Sequence, residues 1–257
     1  MNGAVQLTLW QFLLIYLLLI VVLIIMKRAK ASKTKLLFIA SIRMTVQLIL
    51  VGLLLQYIFE HPHPVFTVLF LAAMLVFSIH RVLSTRKDLN RRFKAGVALA
   101  LGVSGLAVLI FFVCAVVGED VFNPQYTIPL AGMIIGNAMT GVSLGLKTFM
   151  ESIETQRGKI EMMVNLGLSF KTILRPFVNR ALESALLPTI NSMLGMGIIF
   201  LPGMMTGQIL SGTLPTTAIM YQIAIMIAIC ASVCLSVFLS LWWGYRTLYN
   251  GDDQYIG

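Results

Sequence analysis

Leu13-Leu14-Ile15-Tyr16-Leu17-Leu18-Leu19-Ile20-Val21-Val22-Leu23-Ile24-Ile25-Met26 runs directly into Lys27-Arg28-Ala29-Lys30. An unbroken apolar run closed by a cluster of bases is how a helix that crosses a bilayer ends at a charged surface. No stripe of the run is polar, so nothing in it matches the one-sided pattern of a helix lying on a soluble core. The same pattern recurs along the chain. It predicts spans at about 7–26, 36–58, 64–83, 95–117, 127–149, 185–208 and 216–243, each able to cross ~30 Å of hydrocarbon at ~1.5 Å per residue. The composition agrees: of 257 residues, 58% are hydrophobic and 11% charged, and the mean hydropathy is +0.91. So few charged side chains do not solvate a globule of this size, which excludes soluble enzymes, secreted disulfide scaffolds and disordered tails. Cys114, Cys230 and Cys234 all lie inside apolar runs and outline neither a disulfide framework nor a zinc site. The first span lacks a basic leader and a small-residue cleavage site, so it reads as a retained helix.

The bases set the expected orientation. Lys27, Arg28, Lys30, Lys33 and Lys35 follow span one. Arg81, Arg86, Lys87, Arg91, Arg92 and Lys94 follow span three. Lys147, Arg157, Lys159, Lys171, Arg175 and Arg180 follow span five, and Arg246 follows span seven. The other connections, at 59–63, 118–126 and 209–215, carry none, so every base except Arg43 falls on one side. By the positive-inside rule that side is the cytosol, with the N-terminus outside and the C-terminus inside. The formal net charge of +9 thus reads as membrane topology rather than as a nucleic-acid surface. The expectation is a single all-α domain of seven spans over 1–257, in contact with lipid, with one long cytosolic segment at about 150–184.

Within that segment, Glu161-Met162-Met163-Val164-Asn165-Leu166-Gly167 predicts a short helix closed by a left-handed glycine, with Met162, Met163 and Leu166 on one face. Such a face suits either an interfacial helix under its own bundle or a helix that docks on a partner. The spacing of Glu161 and Gly167 resembles the EAA-type coupling loop of ABC transporter permeases, with Met162 and Met163 where that loop has alanines. Nearly the whole chain also resembles the FetB-type permeases, membrane subunits of iron-export ABC transporters with plant relatives linked to aluminium tolerance. The stretches carrying this likeness are Pro129-Leu130-Ala131-Gly132-Met133-Ile134-Ile135-Gly136-Asn137-Ala138-Met139-Thr140-Gly141 and Leu201-Pro202-Gly203-Met204-Met205-Thr206-Gly207-Gln208-Ile209-Leu210-Ser211-Gly212. The resemblance implies a permease dimer driven by a separate cytosolic ATPase that binds the ATP, exporting iron or another metal ion. It implies no cofactor in this chain.

The two glycine-rich stretches align without gaps, Gly132, Gly136 and Gly141 on Gly203, Gly207 and Gly212, with Asn137 opposite Gln208 and Thr140 opposite Ser211. One is expected to run inward and the other outward, the sense of an inverted pair lining a transport site. Glycines three to five apart also permit close helix contact. Packing alone does not call for Asn137, Thr140, Gln208 and Ser211, uncharged polar groups that need partners or water inside hydrocarbon. They are the candidate path, with Met133 and Met204 beside them. Thioethers suit Cu(I) better than hard iron ions, so the methionines also read as apolar filling. Glu60, His61 and His63 at an outer connection form a candidate metal cluster. Arg43 with Gln47 either snorkels to the cytosolic surface or pairs with Glu183.

Two enzyme motifs fail on inspection. Gly141-Val142-Ser143-Leu144-Gly145 matches the GxSxG pattern of an intramembrane serine protease, but His61, His63 and His80 lie on other spans or in an outer loop. Gly145-Leu146-Lys147-Thr148 places Leu146 where a phosphate loop requires glycine, so no ATPase site is expected. A seven-helix receptor or retinal protein is the remaining alternative. Span seven has no lysine for a Schiff base, and the outer loops are short.

Overall fold

The computed structural model describes residues 8–85 and 89–247 and is helical throughout, with no strand among them. Arg86 and Lys87 lie outside the described residues. The helices are α1 (Leu9–Arg28), α2 (Thr34–Glu60), α3 (Pro64–Thr85), α4 (Arg91–Phe111), α5 (Pro124–Thr155), α6 (Arg157–Asn165), α7 (Phe170–Gly195), α8 (Gly203–Leu210) and α9 (Pro215–Tyr245). Their starts carry familiar caps. Thr8 and Gln11 exchange bonds across the first turn of α1, Asn90 accepts from Phe93 N at 2.7 Å, and Asn123 caps α5 ahead of Pro124. The last turns of α4 widen into a π-helix over Phe112–Val117, which ends on left-handed Gly118.

Among the described residues six helices are long and apolar enough to cross a bilayer: α1, α2, α3, α4 with its π-helical extension, α5 and α9. The expected sixth span at 185–208 is divided instead. α7 starts on the basic side at Phe170 and stops at Gly195. The chain then turns sharply, with Gly197 at φ 78° and Ile199 N bonded to Gly195 O at 2.9 Å. Phe200 folds back so closely that a Cβ on Gly195 would lie 2.7 Å from its ring. Pro202 then caps the separate helix α8. Hydropathy does not register this break, because every residue around it except the glycines and proline is apolar. Within 150–184 the chain is helical almost throughout: α5 continues to Thr155, α6 follows, and α7 begins at Phe170.

The core lies where α9 meets α4, α5 and α7. In lipid, apolar side chains gain little by choosing a helix over an acyl chain, so close contact through small residues drives packing. On α9, Ser232, Ser236 and Ser240 recur every fourth residue, and all are 0% exposed. Ser236 Oγ bonds Ser104 Oγ on α4, and Gly244 lies under the Phe93 ring. On α5, a Cβ added at Gly141 would meet Val233 Cγ1 at 2.6 Å, and one at Gly145 would meet Val237 Cγ1 at 2.9 Å. Gly141→Ala should therefore cost roughly 1–3 kcal/mol by overpacking. Gly102→Ala, with nothing within 4 Å of the new atom, should be neutral or raise stability by up to about 1 kcal/mol through helix propensity. Thermal unfolding of both purified variants in detergent checks the opposed signs.

The first two helices stand apart from this core. No residue of α1 is buried, and α2 buries only Ile58. The hairpin is held together by Tyr16 OH and Thr45 Oγ1 at 2.6 Å.

Candidate functional site

At the basic end, α6 follows α5 after Gln156 alone. Its C-terminus is a Schellman turn: Gly167 N bonds Val164 O at 2.8 Å and Leu168 N bonds Met163 O at 3.2 Å, with Gly167 at φ 78°. The glycine required by the sequence pattern thus sits at a left-handed position that L side chains avoid. Ile160 is buried, and Met163 packs against the core cluster. Both line a cleft of about 320 Å³ between α6 and α7 with Leu168, Ile173 and Phe177. Met162 and Leu166 point away, 59% and 72% exposed. The expected shared face of Met162, Met163 and Leu166 is therefore split, because consecutive residues on a helix lie about 100° apart. Glu161 pairs with Arg157 Nε at 2.9 Å on the exposed side.

The polar residues of the glycine-rich stretches occupy two different settings. Asn137 and Thr140 are exposed in the middle of α5. Asn137 Nδ2 donates to Met133 O at 2.7 Å and Thr140 Oγ1 donates to Gly136 O at 3.0 Å. Gln208 lies on α8 with its Oε1 buried and without a partner, and Ser211 Oγ donates to Gln208 O at 2.8 Å. Met133 and Met204 are partly buried against the core. α8 packs on α9, so the two stretches are not laid face to face within one chain. Of the glycines, Gly132 would bring a Cβ within 3.4 Å of Met74, while Gly136, Gly203 and Gly207 face open space. Gly212 is left-handed at φ 102° and follows the end of α8.

α7 carries polar residues beyond the Glu183 named from the sequence. Asn179, Glu183, Leu187 and Asn191 are exposed at four-residue spacing along it. That polar stripe becomes legible only once the helix is known to start at Phe170. The serine ladder of α9 was missed for a related reason, since serines inside a strongly apolar run barely lower its hydropathy.

The outer cluster does not converge. His61 stacks on Tyr57 at 4.9 Å between centroids, His63 Nδ1 accepts from Val65 N at 3.3 Å, and Glu60 accepts from Gln56 Nε2 at 3.1 Å. Among the described residues no group of three His, Cys, Asp or Glu could hold a metal ion. His63 is engaged at the first turn of α3 and His61 by an aromatic ring, which turns the imidazoles to separate tasks. Ser143 Oγ donates to Met139 O at 2.9 Å, so its hydroxyl hydrogen is spent within α5 rather than on a histidine. Arg43 lies over the Phe77 ring at 5.6 Å and makes no ion pair with Glu183.

Comparison with known proteins adds a family and several relatives. The model described as uncharacterised protein family UPF0014 matches residues 9–249. The UPF0014 membrane protein YjkA of Bacillus subtilis is 31% identical over 79% of this chain and 80% of its own. A protein of Escherichia coli named probable iron export permease protein FetB is 30% identical over 83% of this chain and 82% of its own. Protein ALUMINUM SENSITIVE 3 of Arabidopsis thaliana is 31% identical over 72% and 66% respectively. No solved structure matches.

Proposed function

This chain belongs to the UPF0014 family of multi-pass membrane proteins, and from that premise we propose that it is the permease subunit of an ABC transporter that exports iron or another metal ion. The reading rests most heavily on α6, a short helix at the basic end that buries Ile160 and Met163 and leaves Met162 and Leu166 uncovered. Apolar side chains held in water on a capped helix are what a docking surface for an ATPase would present. The basic end is the cytosolic one by the positive-inside rule, which would put α6 where a soluble ATPase can reach it in a bacterial inner membrane. The cargo and the direction come from the name of the Escherichia coli relative.

In this reading two copies of the chain form the permease, and the partner subunit binds and hydrolyses ATP. Closure of the ATPase pair pushes α6. Because Gln156 alone separates α6 from α5, the push is delivered to the helix that carries Asn137 and Thr140. Copurification of the tagged chain from mild detergent should bring down a stoichiometric ATP-binding subunit whose turnover rises several-fold with iron salts. A chain that purifies alone under several extraction conditions overturns the proposal.

A further inference from the structure

The turn between α1 and α2 concentrates positive charge that the chain itself does not answer. Lys27, Arg28, Lys30, Lys33 and Lys35 follow one another closely, and no Asp or Glu precedes Glu60, which closes α2 at its far end. Other bases at this end of the molecule have acids beside them: Lys147 pairs with Glu151 at 3.8 Å and Arg157 with Glu161 at 2.9 Å. Among the described residues no carboxylate pairs with any of the five. The turn is of the Schellman type, with Ala31 N bonded to Met26 O at 2.9 Å and Lys30 N to Lys27 O at 3.1 Å. It holds Lys30 at φ 53°, the position at which glycine is favoured. Where α2 begins, Lys33 makes no side-chain cap, so the amides of the first turn lack a side-chain acceptor.

Next to this turn the two helices part and leave a groove of about 480 Å³. Lys27, Thr34 and Lys35 line its mouth, and Ile20, Phe38 and Ile39 line its depth. Ile20 is one turn from Tyr16, whose bond to Thr45 closes the hairpin below. From Lys27 to Ile20 the groove runs about 10 Å at ~1.5 Å per residue, starting at the charged surface and ending in hydrocarbon. A groove of similar size, about 460 Å³, lies between α4 and α9 against Phe111, Val116, Ala224 and Ile227, and no base lines it. Apolar walls thus recur on this surface, whereas apolar walls under a pair of lysines mark the α1–α2 groove.

We infer that the α1–α2 groove is a site for one anionic phospholipid of the cytosolic leaflet. Lys27, Lys35 and the first-turn amides of α2 hold the phosphate, and an acyl chain lies along Ile20, Ile24 and Phe38. Basic pockets between spanning helices at the cytosolic side select acidic headgroups, and a helix N-terminus adds backbone donors for an anion. A free phosphate would leave the apolar length unfilled, and a zwitterionic lipid would bring no net charge to the lysines. The inference goes beyond the transporter reading and needs neither a second copy nor an ATPase, so it stands or falls separately.

Native mass spectrometry of the delipidated chain tests it, with equal amounts of phosphatidylglycerol and phosphatidylcholine carrying the same acyl chains. The expected result is one retained lipid per chain, with phosphatidylglycerol preferred roughly tenfold or more. Lys27→Gln with Lys35→Gln should bring the two lipids close to parity while the unfolding temperature of the delipidated chain stays unchanged. Lys30→Gly, which relieves the left-handed lysine, should weaken the preference several-fold with an equal or higher unfolding temperature. Arg91→Gln with Arg92→Gln, on the same basic surface but outside the groove, should leave the preference intact. Parity of the two lipids on the parent chain overturns the inference, and so does an equal loss in the Arg91 and Arg92 variant, which would reduce the effect to diffuse surface charge. Displacement of the lipid by inorganic phosphate at a comparable concentration would assign the site to a free anion and overturn it too.

Discussion

If α6 docks an ATPase as proposed, Met162→Glu with Leu166→Glu should abolish recovery of that subunit while leaving the permease folded. The two side chains are 59% and 72% exposed, so thermal unfolding in detergent should shift by no more than a degree or two. Burying each in a partner's groove is worth about 1.5–3 kcal/mol, and placing carboxylates in the same groove adds a desolvation cost. Affinity should fall by a factor of about 100 or more, since ~1.4 kcal/mol is tenfold. Met163→Glu is the internal contrast. Met163 packs against the core with Ile160, so its substitution should lower the unfolding temperature and the yield before any loss of partner is seen. Glu161→Lys breaks an exposed pair worth roughly 0.3–0.5 kcal/mol, and its effect should show in coupled ATPase turnover rather than in stability. Gly167→Val forces a branched side chain into a left-handed site at a cost of about 1–2 kcal/mol and should misdirect the exit from α6. If the ATPase copurifies unchanged with the doubly charged variant, α6 is an interfacial helix and not the docking element.

Pull-down and unfolding data would together separate what the sequence made legible from what it hid. Span boundaries were legible because each apolar run is closed by bases, caps or prolines, and lipid reads mean hydropathy over about twenty residues. The break at Gly195–Phe200 was not, because it is made by two glycines and a ring that folds back, features that leave the hydropathy of 185–208 unchanged. The overrun of α5 to Thr155 has a similar origin: nothing between Lys147 and Gln156 breaks a helix, although the polarity rises sharply. The left-handed cap at Gly167 was legible from one residue because only glycine fits it. Which of Met162 and Met163 would face outward was not, because periodicity gives relative angles and α7 supplies the reference direction. The outer Glu60, His61 and His63 cluster shows the opposite error, in which ligand types close in sequence point apart in space.

On the proposed transport reading, Asn137→Leu combined with Gln208→Leu should abolish metal efflux while assembly with the ATPase is kept. The argument runs through cost. Gln208 Oε1 is buried without a partner, and an unsatisfied buried oxygen costs about 1–3 kcal/mol. Asn137 turns one amide hydrogen to Met133 O but holds its remaining polar atoms on an exposed face in the middle of a spanning helix. Leucine has nearly the same volume and carries neither penalty, so each single variant should be as stable as the parent or more so in a thermal unfolding assay. Residues that oppose folding in this way need a reason outside packing, and passage of a hydrated or polar cargo supplies one. Thr140 and Ser211 spend their hydroxyls on Gly136 O and Gln208 O, so Thr140→Val and Ser211→Ala should reduce efflux far less. Efflux measured from metal-loaded vesicles should drop at least tenfold in the double variant, with each single change intermediate. Flux equal to the parent, together with raised stability, would reduce both amides to residues that lipid and packing tolerate and would move the search for the path to the Asn179, Glu183 and Asn191 stripe of α7.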